Sequence, residues 1–227
     1  MKKSNVAVNK IIVGVDEAGR GPLAGPVTVT AFWAPASART KLIKLLGGRI
    51  RDSKQLSPLH RTEIYRSFTK FQKNREVNFA VCHISNLIID KKGISHATNL
   101  GISMCLQKCQ GESLTVKKAL LSNNKNCQGF PLTVQLDGLL KAPEEYKSAG
   151  WRTKTIIKGD EKDVFIACAS IIAKVRRDRL MCRLAKKYPQ YGFEIHKGYG
   201  TKLHRKLIIQ NGLSPIHRVY FCKKLTA

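Results

Sequence analysis

The amino-acid sequence predicts an α/β fold, a mixed β-sheet flanked by helices. The apolar segments 11–15 and 27–33 lie on either side of a glycine-rich turn, which is typical of two antiparallel strands. Two later strands, near 132–136 and 155–157, are separated from the first pair by helical stretches, which favours crossover connections. Over 164–175 the apolar residues recur at helical spacing. In sheets of this kind ligands bind beyond the strand ends.

The composition predicts a protein that binds polyanions. With 41 Lys and Arg against 15 Asp and Glu, the 227 residues carry a formal charge of +26. Nucleic acid is the favoured partner of so basic a chain. An anionic membrane surface is a weaker candidate, because no segment approaches the roughly 18 apolar residues of a spanning helix. An apolar content of 43% suffices for one large domain, or for one domain with an appendage.

The cysteines and the first residues of the chain give an indication of the cellular compartment. The seven cysteines are odd in number and include no C-x-x-C pair, so we expect reduced and mostly buried thiols. Residues 1–9 are polar and lack the apolar core of a secretory signal. Both features lead us to expect a cytoplasmic protein.

The first strand ends on two adjacent acids, Asp16 and Glu17, and Gly19-Arg20-Gly21 follows closely. Neighbouring carboxylates at the end of a buried strand repel each other unless a cation neutralises them, and Mg²⁺ and Mn²⁺ prefer such oxygen ligands. The two glycines leave backbone N–H groups open to a ligand, and Arg20 is suited to hold a phosphate. For an acid pair taken alone, a polar strand end before a tight turn is the alternative.

The middle of the chain supplies the elements that surround this strand. Ser57 is the expected N-cap of a helix, because Pro58 suits a first helical position. The other predicted elements are a short basic helix within 34–48, a strand over 77–81, a helix from about Ser95 and a polar, mobile loop over 122–129.

Two further strands are expected to finish on acids. The alternating strand at 132–136 is followed by Asp137, and a second short strand terminates in Asp160. If these strand ends are neighbours of the first, four carboxylates form one negative pocket in a basic protein. Such a pocket would hold two divalent ions about 3.5–4 Å apart, one activating water and the other stabilising the leaving oxygen of a phosphodiester. This combination indicates a nuclease.

The last predicted long helix, from about Glu161, becomes strongly basic toward its end. A solvated surface and a phosphate-tracking face both remain open for its seven cations, Lys174, Arg176, Arg177, Arg179, Arg183, Lys186 and Lys187. Tyr199 follows in a glycine-flanked loop beside basic residues. A lone tyrosine usually covers a core, but in this loop we expect an exposed ring that stacks on a sugar or base.

Several motifs recur in a fixed order along the chain. The first is 14–27, Gly-Val-Asp-Glu-Ala-Gly-Arg-Gly-Pro-Leu-Ala-Gly-Pro-Val. The others are Asp52-Ser53-Lys54-Gln55-Leu56-Ser57, Leu136-Asp137-Gly138, Lys158-Gly159-Asp160, the segment 169–175 with Arg177-Asp178, the segment 188–193, His196-Lys197-Gly198-Tyr199 and the segment 214–218. In content and order this set resembles the motifs of the type 2 ribonucleases H, the ribonuclease HII family.

The resemblance implies an RNase H-like fold, in which 1–187 form the catalytic domain and 188–227 a C-terminal helical extension within one compact unit. It implies metal-dependent hydrolysis of the RNA strand of RNA/DNA hybrids. It also implies incision at single ribonucleotides embedded in duplex DNA, which leaves 3′-hydroxyl and 5′-phosphate ends and serves DNA replication and repair. Both kinds of duplex are the expected partners; no membrane partner is expected, and the protein is expected to be a monomer.

Residue roles follow from the same resemblance. The implied catalytic residues and ligands of two Mg²⁺ or Mn²⁺ ions are Asp16, Glu17, Asp137 and Asp160. The implied substrate-binding residues are Gly19, Arg20 and Gly21 for the ribose 2′-hydroxyl and flanking phosphate, Tyr199 for the nucleotide at the junction, and Lys54 for a phosphate.

The chain departs from the family pattern in three places. Leu139 stands where an asparagine is usual, and the loop before Asp160 holds Glu144 and Glu145, which do not match the ligand motif. Gly200 replaces a common proline, which is expected to loosen the tyrosine loop. Two other functions stay open. One is a non-catalytic basic nucleic-acid-binding protein, and the other is a nuclease of the same fold that acts on another substrate, such as a DNA junction.

Overall fold

The computed structural model describes residues 10–48, 50, 56–120, 132–138, 140–148 and 150–226. The predicted phosphate contact Lys54, the expected mobile loop at 122–129 and Leu139 therefore lie outside the described residues.

A mixed five-stranded sheet forms the centre of the fold, in the order β3-β2-β1-β4-β5. Its strands are β1 (Ile11–Ala18), β2 (Val27–Pro35), β3 (Asn78–Ile84), β4 (Thr133–Asp137) and β5 (Arg152–Ile156). β2 runs antiparallel to both β1 and β3, whereas β4 is parallel to β1 and β5 is parallel to β4. The predicted hairpin and the predicted crossovers are both confirmed.

The helices cover the two faces of this sheet and extend beyond one end. They are α1 (Arg39–Leu45), α2 (Pro58–Lys73), α3 (Asn86–Lys92), α4 (Ile94–Leu120), α5 (Glu144–Ser148), α6 (Gly159–Lys162), α7 (Val164–Lys187), α8 (Phe193–His196), α9 (Lys202–Asn211) and α10 (Val219–Thr226). One hydrophobic core joins α4 to the sheet and a second joins α1, α2 and α7 to the opposite face. Ser57 caps α2 as predicted, since its side chain accepts a hydrogen bond from the His60 N–H.

Helix α7 lies directly on the backbone of β1. A Cβ atom added at Gly14 would stand 2.1 Å from the backbone carbon of Phe165, so only glycine allows this approach. Val13 and Val15 point into the core with α4, whereas Ile12 packs in the core with α7. Because strand side chains alternate between faces, Asp16 lies on the α7 side of the sheet.

The prediction of a strand that terminates in Asp160 is wrong. β5 ends at Ile156, and Asp160 lies in the short helix α6. The chain turns between them at Lys158, which has a φ of 54°. The Asp137 carboxylate then accepts a hydrogen bond from the Gly159 N–H at 2.6 Å, and this bond ties the turn to the end of β4.

The C-terminal segment packs against the loop between β1 and β2. The Leu23 N–H donates to the Gly198 carbonyl at 2.8 Å, and the Gly25 N–H donates to the Ile216 carbonyl at 2.8 Å. Tyr191 and Phe193 belong to a third hydrophobic cluster that includes Ala24 and residues of α7. The boundary between a catalytic domain and an extension at residue 188 stays a prediction.

Cysteine burial follows the expectation for the described residues. Cys82, Cys105, Cys109, Cys168 and Cys222 are buried and form no disulfide, and Cys182, which also forms none, is half-buried. Among the helices that the structure describes, none combines the length and the apolar character that crossing a membrane requires.

Candidate active site

Two of the predicted metal ligands, Asp16 and Asp137, are placed side by side by the parallel pairing of β1 and β4. The register pairs Val15 with Leu136, so the next residue on each strand is one of these two acids. Asp16 is 5% exposed, and its carboxylate accepts a hydrogen bond from the Glu17 N–H at 2.7 Å. Neighbouring strand ends in a parallel pair point the same way, which brings two carboxylates from separate segments together.

Crowding of negative charge disfavours the ionised form of Asp16. Burial raises the pKa of its carboxyl well above the ordinary value, and the neighbouring carboxylates of Glu17 and Asp137 raise it further. The Ser170 hydroxyl of α7 and the Glu17 N–H oppose this shift by hydrogen-bonding the carboxylate. A cation bound here would therefore relieve an unfavourable electrostatic arrangement.

The other two predicted ligands flank this pair. Asp160 is 6% exposed and directly follows Gly159, whose N–H holds the Asp137 carboxylate. The Glu17 side chain is 14% exposed, and one of its oxygens lies 3.8 Å from a guanidinium nitrogen of Arg20. The four acids are therefore contributed by the ends of β1 and β4 and by α6.

The type of donor at this position fits a hard divalent cation such as Mg²⁺ or Mn²⁺, because every candidate ligand is a carboxylate. Within the described ranges, no three acidic, cysteine or histidine side chains are grouped closely enough to hold a metal ion as they stand. Repulsion between carboxylates favours separated rotamers, and rotation between staggered rotamers of Asp and Glu costs little. The carboxylate oxygens are therefore chemically compatible with such an ion. The arrangement in which all of these carboxylates coordinate it stays a prediction.

The loop at Gly19, Arg20 and Gly21 is held in shape by buried arginine side chains. Arg218 is fully buried and donates to the carbonyls of Gly19 at 2.6 Å, Arg20 at 2.8 Å and Gly25 at 2.9 Å. Gly19 has a φ of 92°, and a Cβ added there would lie 2.0 Å from Nε of Arg177. The space beside Gly21 is open, in line with a backbone that a ligand can approach closely.

The structure corrects the prediction that Arg177 belongs to a solvated or phosphate-tracking face. Its guanidinium is fully buried and donates to the carbonyls of Ala24, Pro26 and Lys197 at 3.0 to 3.2 Å. It therefore connects the loop after β1 with the loop after α8. The reason lies in the fold, because both loops contain buried backbone carbonyl groups that need a hydrogen-bond donor inside the protein.

Tyr199 is exposed, as expected, and cations flank its ring. The side chain is 40% exposed. The Lys174 ammonium and the Arg177 guanidinium lie 5.4 and 5.5 Å from the ring centroid. Its loop is fixed next to the loop after β1, because a Cβ added at Gly198 would stand 2.5 Å from the Ala24 carbonyl oxygen. The ring is therefore presented on the side of the molecule that carries Gly19 to Gly21.

Three buried histidines, His196, His204 and His217, lie beneath this loop. Burial is the main cause that lowers the pKa of all three, to about 4 for His204 and for His217. The unfolded chain binds protons at these groups below its ordinary pKa of about 6.5, whereas burial lowers the pKa of each group in the folded chain, to about 4 for His204 and His217. Their contribution to stability is therefore complete above pH 6.5 and is lost as the pH falls toward 4.

We expect the free energy of unfolding to fall by about 2–4 kcal/mol between pH 7 and pH 4.5. Urea denaturation at intervals of half a pH unit measures this change. The variant His204→Gln, which removes one titrating ring, should show a shallower pH dependence than the wild type. Identical slopes for the two proteins would contradict the assignment, because the general charge repulsion of the chain affects both equally.

A basic groove of about 700 Å³ continues from this side of the molecule along α7. Helix α2 and the segment around α8 form its other walls, and its only acid among the described residues, Asp178, is paired with Lys174 at 2.9 Å. The cations that line it are Arg61, Arg179, Arg183, Lys186 and Lys197. Part of the predicted basic face of α7 thus forms a concave positive surface.

Sequence reasoning missed three residues that support the site. Ser170 hydrogen-bonds Asp16, and Arg218 shapes the glycine loop. Asp163 caps α7 by accepting from the Phe165 N–H at 2.9 Å, and Arg39 donates to it at 2.8 Å. An Asp before an apolar helical run is an N-cap signal that could have identified Asp163. No local signal identifies the other two, because their partners lie far away in the sequence.

Comparison with protein-family models matches residues 13–224 to the family described as Ribonuclease HII. Among curated relatives, a ribonuclease HII of Caldicellulosiruptor bescii is 37% identical over 216 residues, which cover 95% of this chain and 88% of that protein. A ribonuclease HII of Clostridium acetobutylicum is 38% identical over 217 residues, 96% of this chain and 74% of that protein.

Solved structures with the same fold include two archaeal proteins. Ribonuclease HII of Archaeoglobus fulgidus, solved in complex with PCNA, has a TM-score of 0.66 and 25% identity and covers 95% of this chain and 97% of that one. Ribonuclease H2 of Pyrococcus horikoshii has a TM-score of 0.62 and 25% identity, with 95% and 96% coverage. Bst-RNase HIII in complex with Mn²⁺ has a TM-score of 0.65 at 19% identity and covers 99% of this chain and 73% of that one. At this identity the comparison shows a shared fold.

Proposed function

Because the chain belongs to the ribonuclease HII family, whose members act on RNA/DNA hybrids, we propose that this nuclease also incises at single ribonucleotides in duplex DNA. The proposed reaction uses two divalent ions and leaves 3′-hydroxyl and 5′-phosphate ends. The proposed catalytic residues are Asp16, Glu17, Asp137 and Asp160. The observation that carries the proposal is the crowding of the buried Asp16 against the half-buried Asp137 within a chain of charge +26.

The four acids would hold Mg²⁺ or Mn²⁺, which when bound activates water for attack and stabilises the leaving oxygen of the phosphodiester. The sheet brings Asp16 and Asp137 side by side, and their carboxylates accept hydrogen bonds from Ser170 and from the Gly159 N–H. Mn²⁺ occurs in the neighbour Bst-RNase HIII, which supports this choice of ion.

Recognition of the ribose is assigned to the backbone of Gly19, Arg20 and Gly21. The arginines beneath this loop set its shape before any substrate arrives, so the backbone groups can be presented in a fixed geometry. The 2′-hydroxyl both donates and accepts hydrogen bonds, and it is the group that distinguishes RNA from DNA. We assign Tyr199 to packing on the nucleotide at the junction and Lys54 to a phosphate contact.

The duplex beyond the cleavage position is assigned to the basic groove along α7. Arg183 and Lys186 are exposed there, so both can contact phosphates without loss of internal hydrogen bonds. Replacing both by Gln should lower the slope of log Kd against log salt by about 1.8, since each phosphate contact on B-form DNA contributes about 0.9.

Fluorescence anisotropy with an uncut duplex, at several salt concentrations in EDTA, measures that slope. The matched control replaces Lys91 and Lys92, which are exposed on α3 outside the groove, by Gln. This control has the same net charge as the groove variant. Equal salt slopes for the two variants would mean that net charge, and not the groove, determines duplex binding.

The proposed substrate preference is tested by cleavage of three end-labelled duplexes: an RNA/DNA hybrid, a DNA duplex with one ribonucleotide and an all-DNA duplex. With Mg²⁺ or Mn²⁺ we expect cutting of the first two, with 3′-hydroxyl and 5′-phosphate ends, and no cutting in EDTA. Equal cutting of the all-DNA duplex would reject recognition of the 2′-hydroxyl. Cutting of the hybrid alone would reject incision at single ribonucleotides.

We further propose a role in DNA replication and repair for a monomer that works in the cytoplasm. The described cysteines form no disulfide and are mostly buried, which supports a reducing compartment, since thiols persist where disulfides do not form. Sedimentation of the purified protein with and without duplex tests the monomer.

A further inference from the structure

His196, His204 and His217 form a contiguous buried cluster at the base of the Tyr199 loop. The rings of His196 and His204 are stacked, with centroids 4.1 Å apart and planes 18° apart. Nε2 of His204 lies 3.1 Å from Nε2 of His217. All three side chains are at most 7% exposed, and Phe193 lies against each of the three rings. None of the three rings has been assigned a role in metal binding, substrate contact or helix capping.

The backbone around the cluster fixes which nitrogen of each ring carries the hydrogen. The Ser214 N–H donates to Nδ1 of His217 at 2.8 Å, so this nitrogen carries a lone pair. The hydrogen of neutral His217 is therefore on Nε2, and Nε2 of His204, 3.1 Å away, accepts it. His204 accepts there, so its own hydrogen is on Nδ1, which lies 2.9 Å from the Tyr199 carbonyl oxygen.

The tautomer of His196 is determined in the same way, by its own backbone contacts. The Gly198 N–H donates to its Nδ1 at 3.2 Å, so its hydrogen is on Nε2, which lies 2.7 Å from the Tyr191 carbonyl oxygen. Each ring in the cluster thus has one defined neutral tautomer. His204 alone carries its hydrogen on Nδ1, and the direction of its hydrogen bonds is imposed by His217.

We propose that His204 is a positioning residue for Tyr199, held in its Nδ1–H tautomer by His217 so that it donates to the Tyr199 carbonyl. This inference rests on the proposed role of Tyr199 at the nucleotide junction. The hydrogen bonds run in one direction, from the Ser214 N–H through His217 and His204 to the loop. Changing the donor at His204 therefore changes how the Tyr199 ring is presented, although His204 itself touches no substrate.

The Tyr199 carbonyl has a second donor, and this makes the contribution of His204 measurable. The Thr201 N–H donates to the same oxygen at 2.8 Å, and the His196 carbonyl accepts from the Tyr199 N–H at 2.9 Å. The loop therefore keeps part of its support when His204 is changed. We expect a loosened loop, and not an unfolded protein, because net loss of one hydrogen bond costs about 1 kcal/mol.

The tautomers can be observed directly in the full-length protein without substrate or metal. Long-range ¹H–¹⁵N correlation spectra at pH 7.5 distinguish the protonated from the bare ring nitrogen of each histidine. We expect Nδ1–H for His204 and Nε2–H for His217 and for His196, with the resonances assigned by single replacement. Nε2–H at His204, or Nδ1–H at His217, would overturn the proposal whatever the enzyme cleaves.

Two replacements of His204 separate positioning from packing. The side-chain amide of Asn places its N–H near the position of Nδ1 and can donate to Tyr199, whereas that of Gln reaches the position of Nε2 and cannot. On the single-ribonucleotide duplex we expect KM to rise about tenfold in His204→Gln and to stay within about threefold of wild type in His204→Asn, with similar kcat in both. Equal KM values for the two variants would overturn the proposal.

A double-mutant cycle with Tyr199→Ala tests whether the effect passes through the ring. In a Tyr199→Ala background, His204→Gln should cause little further rise in KM, because the positioned group is gone. Independent, multiplicative effects would show that His204 acts elsewhere and would overturn the proposal. If the wild-type enzyme does not cut the single-ribonucleotide duplex at all, the proposed function fails, whereas the tautomer experiment still decides the direction of the hydrogen bonds.

Discussion

Asp16→Asn is expected to abolish cleavage of RNA/DNA hybrids while duplex binding is retained or strengthened. Loss of a supporting group around a metal ligand typically costs 10–100-fold, so removal of a ligand should lower kcat/KM by more than about 100-fold. Burial and two carboxylate neighbours raise the pKa of the Asp16 carboxyl, so the neutral amide also relieves repulsion. We therefore expect the variant to be more stable than the wild type in urea, as is common where function maintains an unfavourable arrangement.

The matched control for this variant is Glu145→Gln, which removes one exposed acid from the segment before β5. It should cleave the hybrid at the wild-type rate and show wild-type stability. Cleavage kinetics and urea denaturation of both variants complete the experiment. Wild-type cleavage by Asp16→Asn would show that this carboxylate does not take part in the reaction, and the assignment of all four acids would then have to be abandoned.

Arg177→Met is expected to destabilise the folded protein strongly. The methionine keeps much of the aliphatic volume, but it leaves three carbonyls, those of Ala24, Pro26 and Lys197, without their donor. Each unpaired buried carbonyl costs about 1–3 kcal/mol, so with three of them we expect a loss of at least about 3 kcal/mol. For a chain of this size that corresponds to a fall in Tm of about 10 °C.

Arg179→Met is the control for the buried arginine, because it removes the same charge two residues further along the same helix. The Arg179 side chain is exposed, and its guanidinium lies over the Tyr65 ring at 4.7 Å. We expect its Tm to stay within about 2 °C of wild type, since exposed substitutions usually change stability by less than about 0.5 kcal/mol. A similar loss of Tm in both variants would mean that charge, and not the paired carbonyls, determines the effect.

Much of the fold could be predicted because the signals are local. Strand β1 follows from an uninterrupted apolar run, its pairing with β2 from the glycine-rich turn, and α2 from the Ser57-Pro58 start. The comparisons confirm the family suggested by the motif order and the RNase H-like fold it implied. Local sequence patterns do not predict the role of a residue whose hydrogen-bond partners are distant in the sequence.

Arg177 illustrates this limit. In the sequence it is one of seven cations near the end of a helix, and its neighbours Arg176 and Arg179 remain partly or fully exposed. Its burial is determined by carbonyl groups of two loops that the fold brings against α7. Such groups carry no sequence signature, because every residue has a carbonyl.

The predicted acidic residues show the same difference between positions that the sequence predicts and positions that it does not. Parallel strands end at the same edge of a sheet, which predicts that Asp16 and Asp137 meet, and the register of β1 and β4 places them together. The sequence pattern puts Asp160 at the end of a strand, but it lies in α6 after a turn at Lys158 with positive φ. A lysine gives no indication of that conformation, which glycine or asparagine adopts more readily. The roles of the four acids as metal ligands stay a prediction.

Acids from separate segments must hold the same ion if the proposed site exists, and Mn²⁺ binding tests this without any reaction. Electron paramagnetic resonance measures free Mn²⁺ as it is titrated into wild type, Asp16→Asn, Asp137→Asn and the double variant. We predict that each single variant loses at least about tenfold in affinity and that the double variant loses hardly more, since both carboxylates serve one site. Wild-type affinity in either single variant, or independent losses that multiply in the double variant, would contradict a shared metal site.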